Sequence, residues 1–595
     1  MAELRSIKSV VSRVISFWSG CIIIFVLVCT VTCIPPEDPI NCSSWGTSNC
    51  TITNSYGAFP DRSVCKVAHV VYPKTEQELL SAVAMASKNK IKVKVATRYG
   101  HGTPKLVCPD GHDGLVISTR NLNRVLKIDK STMMMTVETG ATLKEVVQQA
   151  AEAGLALPHG PYWWGLTVGG MISTGAHGSG WWGVGSSVHE YVEQVRIVTP
   201  AGSRHGYAKV RTLDNGDPHI NAAKVSLGVL GVISQVTLRL QPLFKRSITF
   251  LEKSDSDLAI QTTSFGNQHE FGDITWFPVQ HKAIYRVDDR LPSNVSGNGL
   301  NDFIGFRSTP STTLALVRSL EESQESTSDA DGKCRIANLT MSTFMNSAYG
   351  FTNNGTTFTG YPIVGYQHRL QTAGSCLDST KNNDDQIVAA CPWDPRVKSH
   401  QFFHQTGISI RLLKVKNFIK DVKKLRDLEP KAFCGVELYG GILMRYVKAS
   451  NAYLGKQEDA VDFDISYYRS KDPKTPRLFE DILEEVEQLA VFKYGGLPHW
   501  GKNRNVAFVG VTKKYKNVRE FLKVKKMYDP LGIFSNKWTD QVLGLQGGVT
   551  IVKEGCALEG LCICSEDIHC APKKGYFCRP GRVYKDARVC SYIKA

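Results

Sequence analysis

From Val67 onward the chain switches repeatedly between two hydrophobic periods. Residues 91–97, IKVKVAT, alternate apolar and polar positions and predict a strand. The same alternation predicts strands near 125–128, 133–138, 192–199 and 232–240. Helical spacing intervenes. Thr75 with Glu78 spells T-x-x-E, a capping box that opens a helix reaching about Lys90. Thr142 with Glu145 repeats the signal, and that helix should stop at Gly154. Strands and helices mixed in this way predict an α+β unit over residues 61–240.

Beyond it, residues 241–545 read as a second α+β domain with longer loops. The run LFEDILEEVEQLAVF at 478–492 is apolar at helical spacing. Asp529-Pro530-Leu531-Gly532 predicts a turn near its end. The flanks have a different character. Residues 34–60 are rich in Pro, Ser and Asn without periodicity and read as an irregular lead-in. Residues 546–595 hold cysteines at 556, 562, 564, 570, 578 and 590. Their spacing lacks the C-x-x-C of a zinc site, so no metal is expected, and their even number suits three internal bridges. A separate disulfide module is expected there, dispensable for the catalytic fold.

Residues 1–33 read as a secretory leader. Arg5, Lys8 and Arg13 precede a short apolar core, CIIIFVLV at 21–28. That core is shorter than a membrane span needs, so no stable span is expected after cleavage. An uncleaved anchor holding the chain in the endoplasmic reticulum is the alternative. Of 17 cysteines, 14 lie beyond the leader, which suits an oxidising compartment. Sequons at Asn41, Asn49, Asn294, Asn338 and Asn354 suit a secreted glycoprotein. The formal charge is +16. The leader carries three basic groups and one acid, which leaves +14 on the mature chain. That excess permits an acidic cell-wall polysaccharide as a neighbour, and nothing in the chain points to nucleic acid.

The candidate chemistry lies in glycine-rich loops. GGMISTGAHGSGWWG runs from Gly169 to Gly183. Glycine at that density lets backbone N–H groups approach a phosphate, and Thr174 and His177 among them are potential donors, which favours a nucleotide cradle over a plain turn. Gly178, Gly180 and Gly183 spell a literal G-x-G-x-x-G, but its interior is Trp181-Trp182 and no ribose-binding acid follows at the required distance, so a dinucleotide fingerprint is rejected. A second loop, Arg98-Tyr99-Gly100-His101-Gly102, follows the 91–97 strand.

Together the strand ending in YGHG, the run ETGATLKEVV, TVGGMISTGAHGSG and LGVLGVISQVTL resemble the FAD-binding (PCMH-type) domain of the vanillyl-alcohol-oxidase class of flavoproteins. HWGK at 499–502 and DPLGIFSN at 529–536 narrow the resemblance to the aldonolactone oxidases, closest to the secreted plant L-gulonolactone oxidase-like members. The resemblance spans residues 60 to 540. It implies an FAD domain, a substrate (cap) domain and a small Cys-rich tail. It implies that His101, between Gly100 and Gly102, bonds the flavin covalently, and that Gly169, Gly170, Thr174, Gly175, His177 and Gly178 wrap the pyrophosphate. Gly231 and Ile233 match the adenine end. Lys502, with His499 in the same motif, would face the flavin and the substrate hydroxyl. Related enzymes pair a glutamate with an arginine two residues later. Here Glu437 in FCGVELYGG is followed by Tyr439, and the next arginine is Arg445. The implied reaction is oxidation of a sugar lactone, L-gulono-1,4-lactone with O2 giving L-ascorbate and H2O2. The alternatives are a secreted oxidase of another sugar or polyol, and an inactive wall-binding protein that kept the fold.

Overall fold

The computed structural model describes residues 32–34, 39–43, 46–53, 62, 64–97, 104–384 and 386–594. Residues 1–31 of the leader and the loop holding Gly100, His101 and Gly102 lie outside the described residues, while Thr32–Ile34 forms a short strand paired with Ser379–Lys381. Among the described residues no helix is long and apolar enough to cross a membrane.

Three sheets organise the chain. The first contains β1 (Ile40–Asn41), β2 (Ser48–Ile52), β3 (Cys65–Val71), β4 (Val93–Ala96) and β5 (Leu115–Ser118), in the order β1-β2-β3-β5-β4. Its β3–β5 and β4–β5 pairs are parallel. The second contains β6 (Val125–Asp129), β7 (Met134–Glu138), β8 (Val192–Pro200), β9 (Ala208–Asp214) and β10 (Val232–Arg239), antiparallel in the order β9-β8-β10-β7-β6. Two of these strands correct the reading of the lead-in: β1 and β2 lie in the stretch expected to be irregular. They are too short to show a period, and the Cys42–Cys50 bridge ties them together.

Of the two expected capping boxes, the one at Thr142 forms in full, while at Thr75 only the N-cap bond forms and the Glu78 side chain accepts the Lys74 N–H instead. Helix α1 (Glu76–Asn89) starts where the Thr75 hydroxyl accepts the Glu78 N–H at 3.1 Å. Helix α2 (Leu143–Glu152) carries the reciprocal box between Thr142 and Glu145, and its chain turns at Gly154, where φ is +79°. Leu143, Val146, Val147 and Ala150 bury one face of α2. Burial of each larger side chain is worth about 1.5–3 kcal/mol. Helix α3 (Val168–Thr174) follows in the glycine-rich segment.

The third sheet is wider and antiparallel. It contains β11 (Lys245–Ser254), β12 (Asp273–Phe277), β13 (Lys282–Leu291), β14 (Ile363–Tyr366), β15 (Phe403–Arg411), β16 (Ile442–Val447), β17 (Ala460–Tyr468) and β18 (Leu497–Pro498). Their order is β14-β11-β13-β12-β16-β17-β15-β18. Helices α4 (Ser311–Ser326), α5 (Ala330–Asn346) and α6 (Leu412–Leu428) accompany it. One continuous apolar core runs from Met135 and Val137 in the second sheet to Ile442 and Phe463 in the third.

Two chain segments cross the boundaries read from the sequence. DPLGIFSN returns to the first unit: Lys92 Nζ donates to the Gly532 carbonyl at 2.8 Å and Val93 N to the Ile533 carbonyl at 2.8 Å. Ile533 and Phe534 are buried in the core between α1 and the first sheet. The tail does form three internal disulfides, Cys556–Cys562, Cys564–Cys578 and Cys570–Cys590. It is not a separate module, however. Its strands β19 (Tyr576–Pro580) and β20 (Arg588–Tyr592) belong to a segment packed on helix α7 (Glu480–Gln488), all nine residues of which are buried. The tail covers Asp481 and Glu485 of α7, while Arg477 and Arg504 pair with Glu480, Glu484 and Glu487. Glu485 accepts the backbone N–H groups of Arg582, Val583 and Tyr584 at 2.6–2.7 Å.

Candidate functional site

The second sheet with α3 and the third sheet face one cavity of about 680 Å3. On the first side, the Thr167 side chain caps α3 by accepting the Gly170 N–H. Gly169, Gly170, Thr174, His177, Gly231 and Ile233 line the cavity, as do Ser173 and Gly228. A Cβ at Gly169 would lie 3.1 Å from Thr139 Cβ, so glycine presses the start of α3 against the neighbouring loop. Gly175 and Gly178 do not line the cavity. Gly175 has φ +68° and ends α3, while a Cβ at Gly178 would meet the Gly160 carbonyl at 2.7 Å. Their glycine is required by a turn and a close backbone contact, not by a ligand. His101, Gly100 and Gly102 cannot be placed, since they fall outside the described residues.

These surroundings fit a flat polar cofactor. Four glycines floor the groove, so no side chain projects from those positions. The buried His177 Nε2 has no hydrogen-bond partner among the described residues. Burial drives the His177 imidazole down to about 3, so the ring is neutral at physiological pH.

On the opposite side the strand period sets the face. Asp273 and Thr275 on β12, Leu443 and Arg445 on β16, Asp464 and Ser466 on β17, and Phe403 and Gln405 on β15 all line the cavity. Each pair is separated by two residues, as one face of a strand requires. Register places Arg445 between Asp273 and Asp462, and Asp464 between Leu443 and Gly407.

HWGK completes this face. His499, Gly501 and Lys502 line the cavity, while Trp500 turns into the core and donates to the Leu454 carbonyl at 2.9 Å. Lys502 Nζ donates to Asp464 Oδ1 at 2.6 Å. Arg445 donates to the other oxygen of Asp464 and, at 3.3 Å, to Asp462. Gly407 makes room for the pair: a Cβ there would lie 2.9 Å from Asp464 Oδ1 and 3.2 Å from Lys502 Cδ. Lys456 stands 3.9 Å from Asp462. Burial opposes a charge on Asp462, yet Lys456 and Arg445 hold its carboxyl well below the usual carboxylate range. Burial also drives His499 well below its ordinary value, with the Lys502 cation adding to the effect. Arg445, Lys502 and Asp464 thus line the cavity beside two neutral imidazoles, with Lys456 and Asp462 behind them, a surface poised for developing negative charge.

Glu437 is not part of this site. It is fully buried outside the cavity lining and accepts the Val279 N–H at 2.6 Å and the Gln280 amide at 2.9 Å. The family resemblance suggested it as the acid partner of an arginine. On strand β16 the position two residues before Arg445 is Leu443, and the carboxylate comes from Asp464 across the register. Sequence reasoning also missed the network beside it. Tyr162 OH donates to Asp273 at 2.6 Å, and Arg286 reaches both groups at 2.7 Å. Alternation of Asp273 with Thr275 and Asp464 with Ser466 was the available signal, but it needed the sheet order to show a shared face.

Comparison with known proteins agrees with this geometry. A family model for an FAD binding domain matches residues 67–206, one for D-arabinono-1,4-lactone oxidase matches 377–542, and one for the L-gulonolactone oxidase 2-like C-terminal domain matches 553–592. The chain is 59% identical over 581 residues to the probable L-gulonolactone oxidase 6 of Arabidopsis thaliana, covering 97% of this chain and 96% of that one. The chain belongs to the L-gulonolactone oxidase family. L-gulonolactone oxidase 2 of the same plant is 58% identical over 576 residues, covering 96% and 97% of the two chains. A solved cholesterol oxidase from B. sterolicum shares the fold, with a TM-score of 0.60 at 16% identity over 86% of this chain and all of that one. The protein is thus an FAD-dependent oxidoreductase with a PCMH-type FAD-binding fold, and its family oxidises sugar lactones.

Proposed function

We propose that this protein oxidises the C2 hydroxyl of an aldonolactone, with L-gulono-1,4-lactone the first candidate, and that O2 accepts the electrons. The substrate loses a hydride and a proton. The resulting ketone tautomerises to L-ascorbate, and O2 with two electrons and two protons becomes H2O2. Bound FAD supplies the hydride acceptor. The chain's own part is electrostatic and positional. Arg445 and Lys502 stabilise the oxygen as its proton leaves, and the Asp464 carboxylate holds both cations in place and accepts sugar hydroxyls.

The observation that carries this reading is the Lys502–Asp464–Arg445 bridge at the face opposite the glycine-floored groove. The test is a panel of aldonolactones, sugars and polyols, read by anaerobic flavin bleaching and by peroxide release in air. Bleaching by L-gulono-1,4-lactone with stoichiometric peroxide is expected. Bleaching by other sugars alone would replace the substrate, and bleaching without peroxide would replace the acceptor.

Export to the cell wall or apoplast after loss of residues 1–33 belongs to the same proposal. Seven disulfides and the exposure of all five sequon asparagines support it. A covalent bond from His101 to the flavin is likewise proposed. Flavin that stays with acid-precipitated protein, and is freed in His101→Ala, is the expected result.

A further inference from the structure

The cavity does not end at the charged cluster. On β15, Gly407 lies beside Asp464 and Lys502, and the same strand face continues to Gln405 and then Phe403. At about 3.4 Å per residue, Phe403 stands about 14 Å from the charged rung. Opposite it on β17 the sequence of rungs is Asp464, Ser466, Tyr468. Charge thus gives way to an amide and a hydroxyl, and then to aromatic rings.

Beyond Phe403 the wall is aromatic. Trp163, Phe306 and Trp393 meet edge to face, with ring centroids 5.1–5.7 Å apart. The Tyr439 ring lies 5.6 Å from Phe403. All five line the cavity, and the Cys376–Cys391 disulfide braces the segment that delivers Trp393. Among the buried polar atoms of the lining that have no hydrogen-bond partner among the described residues are Trp393 Nε1, a donor, and Asn301 Oδ1, an acceptor. A single lactone ring held by Arg445, Asp464 and Lys502 reaches about one rung along the strands, or roughly 7 Å, which leaves the aromatic rings beyond its contacts.

We propose that this arm is a second sugar subsite, and that the preferred substrate carries a further glycosyl unit on the lactone ring that is oxidised. Aromatic planes receive the apolar face of a sugar, and the amide, hydroxyl and two unpaired polar atoms serve its hydroxyls. Those polar groups favour a sugar over an apolar aryl group. The inference rests on the lactone-oxidase reading for the group oxidised, and goes beyond it in naming the length of the substrate.

The experiment compares the holoprotein's kcat/KM for a monosaccharide lactone, the same lactone bearing a β-linked hexose, and the same lactone bearing a benzyl group. Binding energy from the remote ring should raise kcat/KM for the disaccharide by about tenfold over the monosaccharide. In Trp393→Ala, and less so in Trp393→Phe, that ratio should fall towards one. Equal values for one and two rings overturn the proposal, as does a preference for the benzyl lactone alone. A second measurement needs no oxidation: the matching disaccharide alditol should quench tryptophan fluorescence in the wild type and quench it less in Trp393→Phe, where Trp163 remains in the arm. Quenching without flavin bleaching by any lactone would sink the lactone reading and keep the subsite. Bleaching by the monosaccharide lactone without quenching would do the reverse. Thermal melts of both variants identify a folding failure, in which case Phe403→Leu takes the same two measurements.

Discussion

Asp464 is the residue on which the site turns, because it receives Lys502 and Arg445 together. Replacing Lys502 by Met leaves the carboxylate paired with Arg445, so the fold should survive while a preorganised cation is lost. The expected loss is about 10²–10³-fold in the rate of flavin reduction, with FAD retained. Stopped-flow reduction of the yellow protein measures it, and an unchanged rate would remove Lys502 from the chemistry. Glu437 should behave differently. Burial pushes its carboxyl up to about 7, against the Gln280 and Val279 hydrogen bonds that pull it down. The folded state therefore holds a proton on Glu437 that the unfolded state has released, between the ordinary value near 4.5 and about 7. Stability from this group is present below the ordinary value and is lost as pH rises through about 7. Glu437→Gln mimics the protonated acid. It should keep turnover within about threefold and gain on the parent in Tm from pH 5 to pH 8, by the equivalent of at most about 3 kcal/mol. A Tm difference that is flat with pH would show that the carboxyl is not perturbed.

Helix α7 shows what is gained when a polar helix face is covered by its own chain. Glu484 and Glu487 pair with Arg504, Asp481 with Arg582, and Glu485 with three backbone N–H groups of the tail. Arg504 lies two residues after Lys502, and Val506 donates to the Gly560 carbonyl at 3.0 Å. The tail thus braces the segment that carries HWGK. Glu485→Ala removes the buried acceptor that three part-buried backbone N–H groups of the tail share, so secreted yield and Tm should fall. Truncation after Leu545 should keep some FAD but lower turnover, because the brace on 503–506 is gone. Full turnover in a stable truncated protein would return the tail to the status of an appendage. Thr75 and Thr142 announced α1 and α2, since a capping box is local chemistry. The run at 478–492 announced α7 but not what covers it, because the tail partner of Glu485 lies about 100 residues further on. HWGK and the glycine loops were legible as motifs. The pairing of Arg445 with Asp464 was not, because it depends on which strands are neighbours.

At the scale of the whole molecule, fourteen cysteines form seven disulfides. Cys65–Cys108 closes a span of 43 residues around β3, α1 and β4. Removing it as Cys65→Ser with Cys108→Ser should cost about 4 kcal/mol by chain entropy. Denaturant titration checks that figure, and no loss of midpoint would mean that packing alone holds the first sheet. The return of DPLGIFSN to that sheet has a consequence for how the protein is made. Domains generally fold in order of synthesis, the N-terminal one first. Here the hydrophobic seal of the N-terminal unit contains Ile533 and Phe534, which leave the ribosome only after nearly all of the chain has been translated. The nascent flavin unit therefore waits, unsealed, for its last pieces. Cofactor capture becomes a late, post-translational event, and a chain interrupted before residue 534 is one that quality control can recognise by its open core.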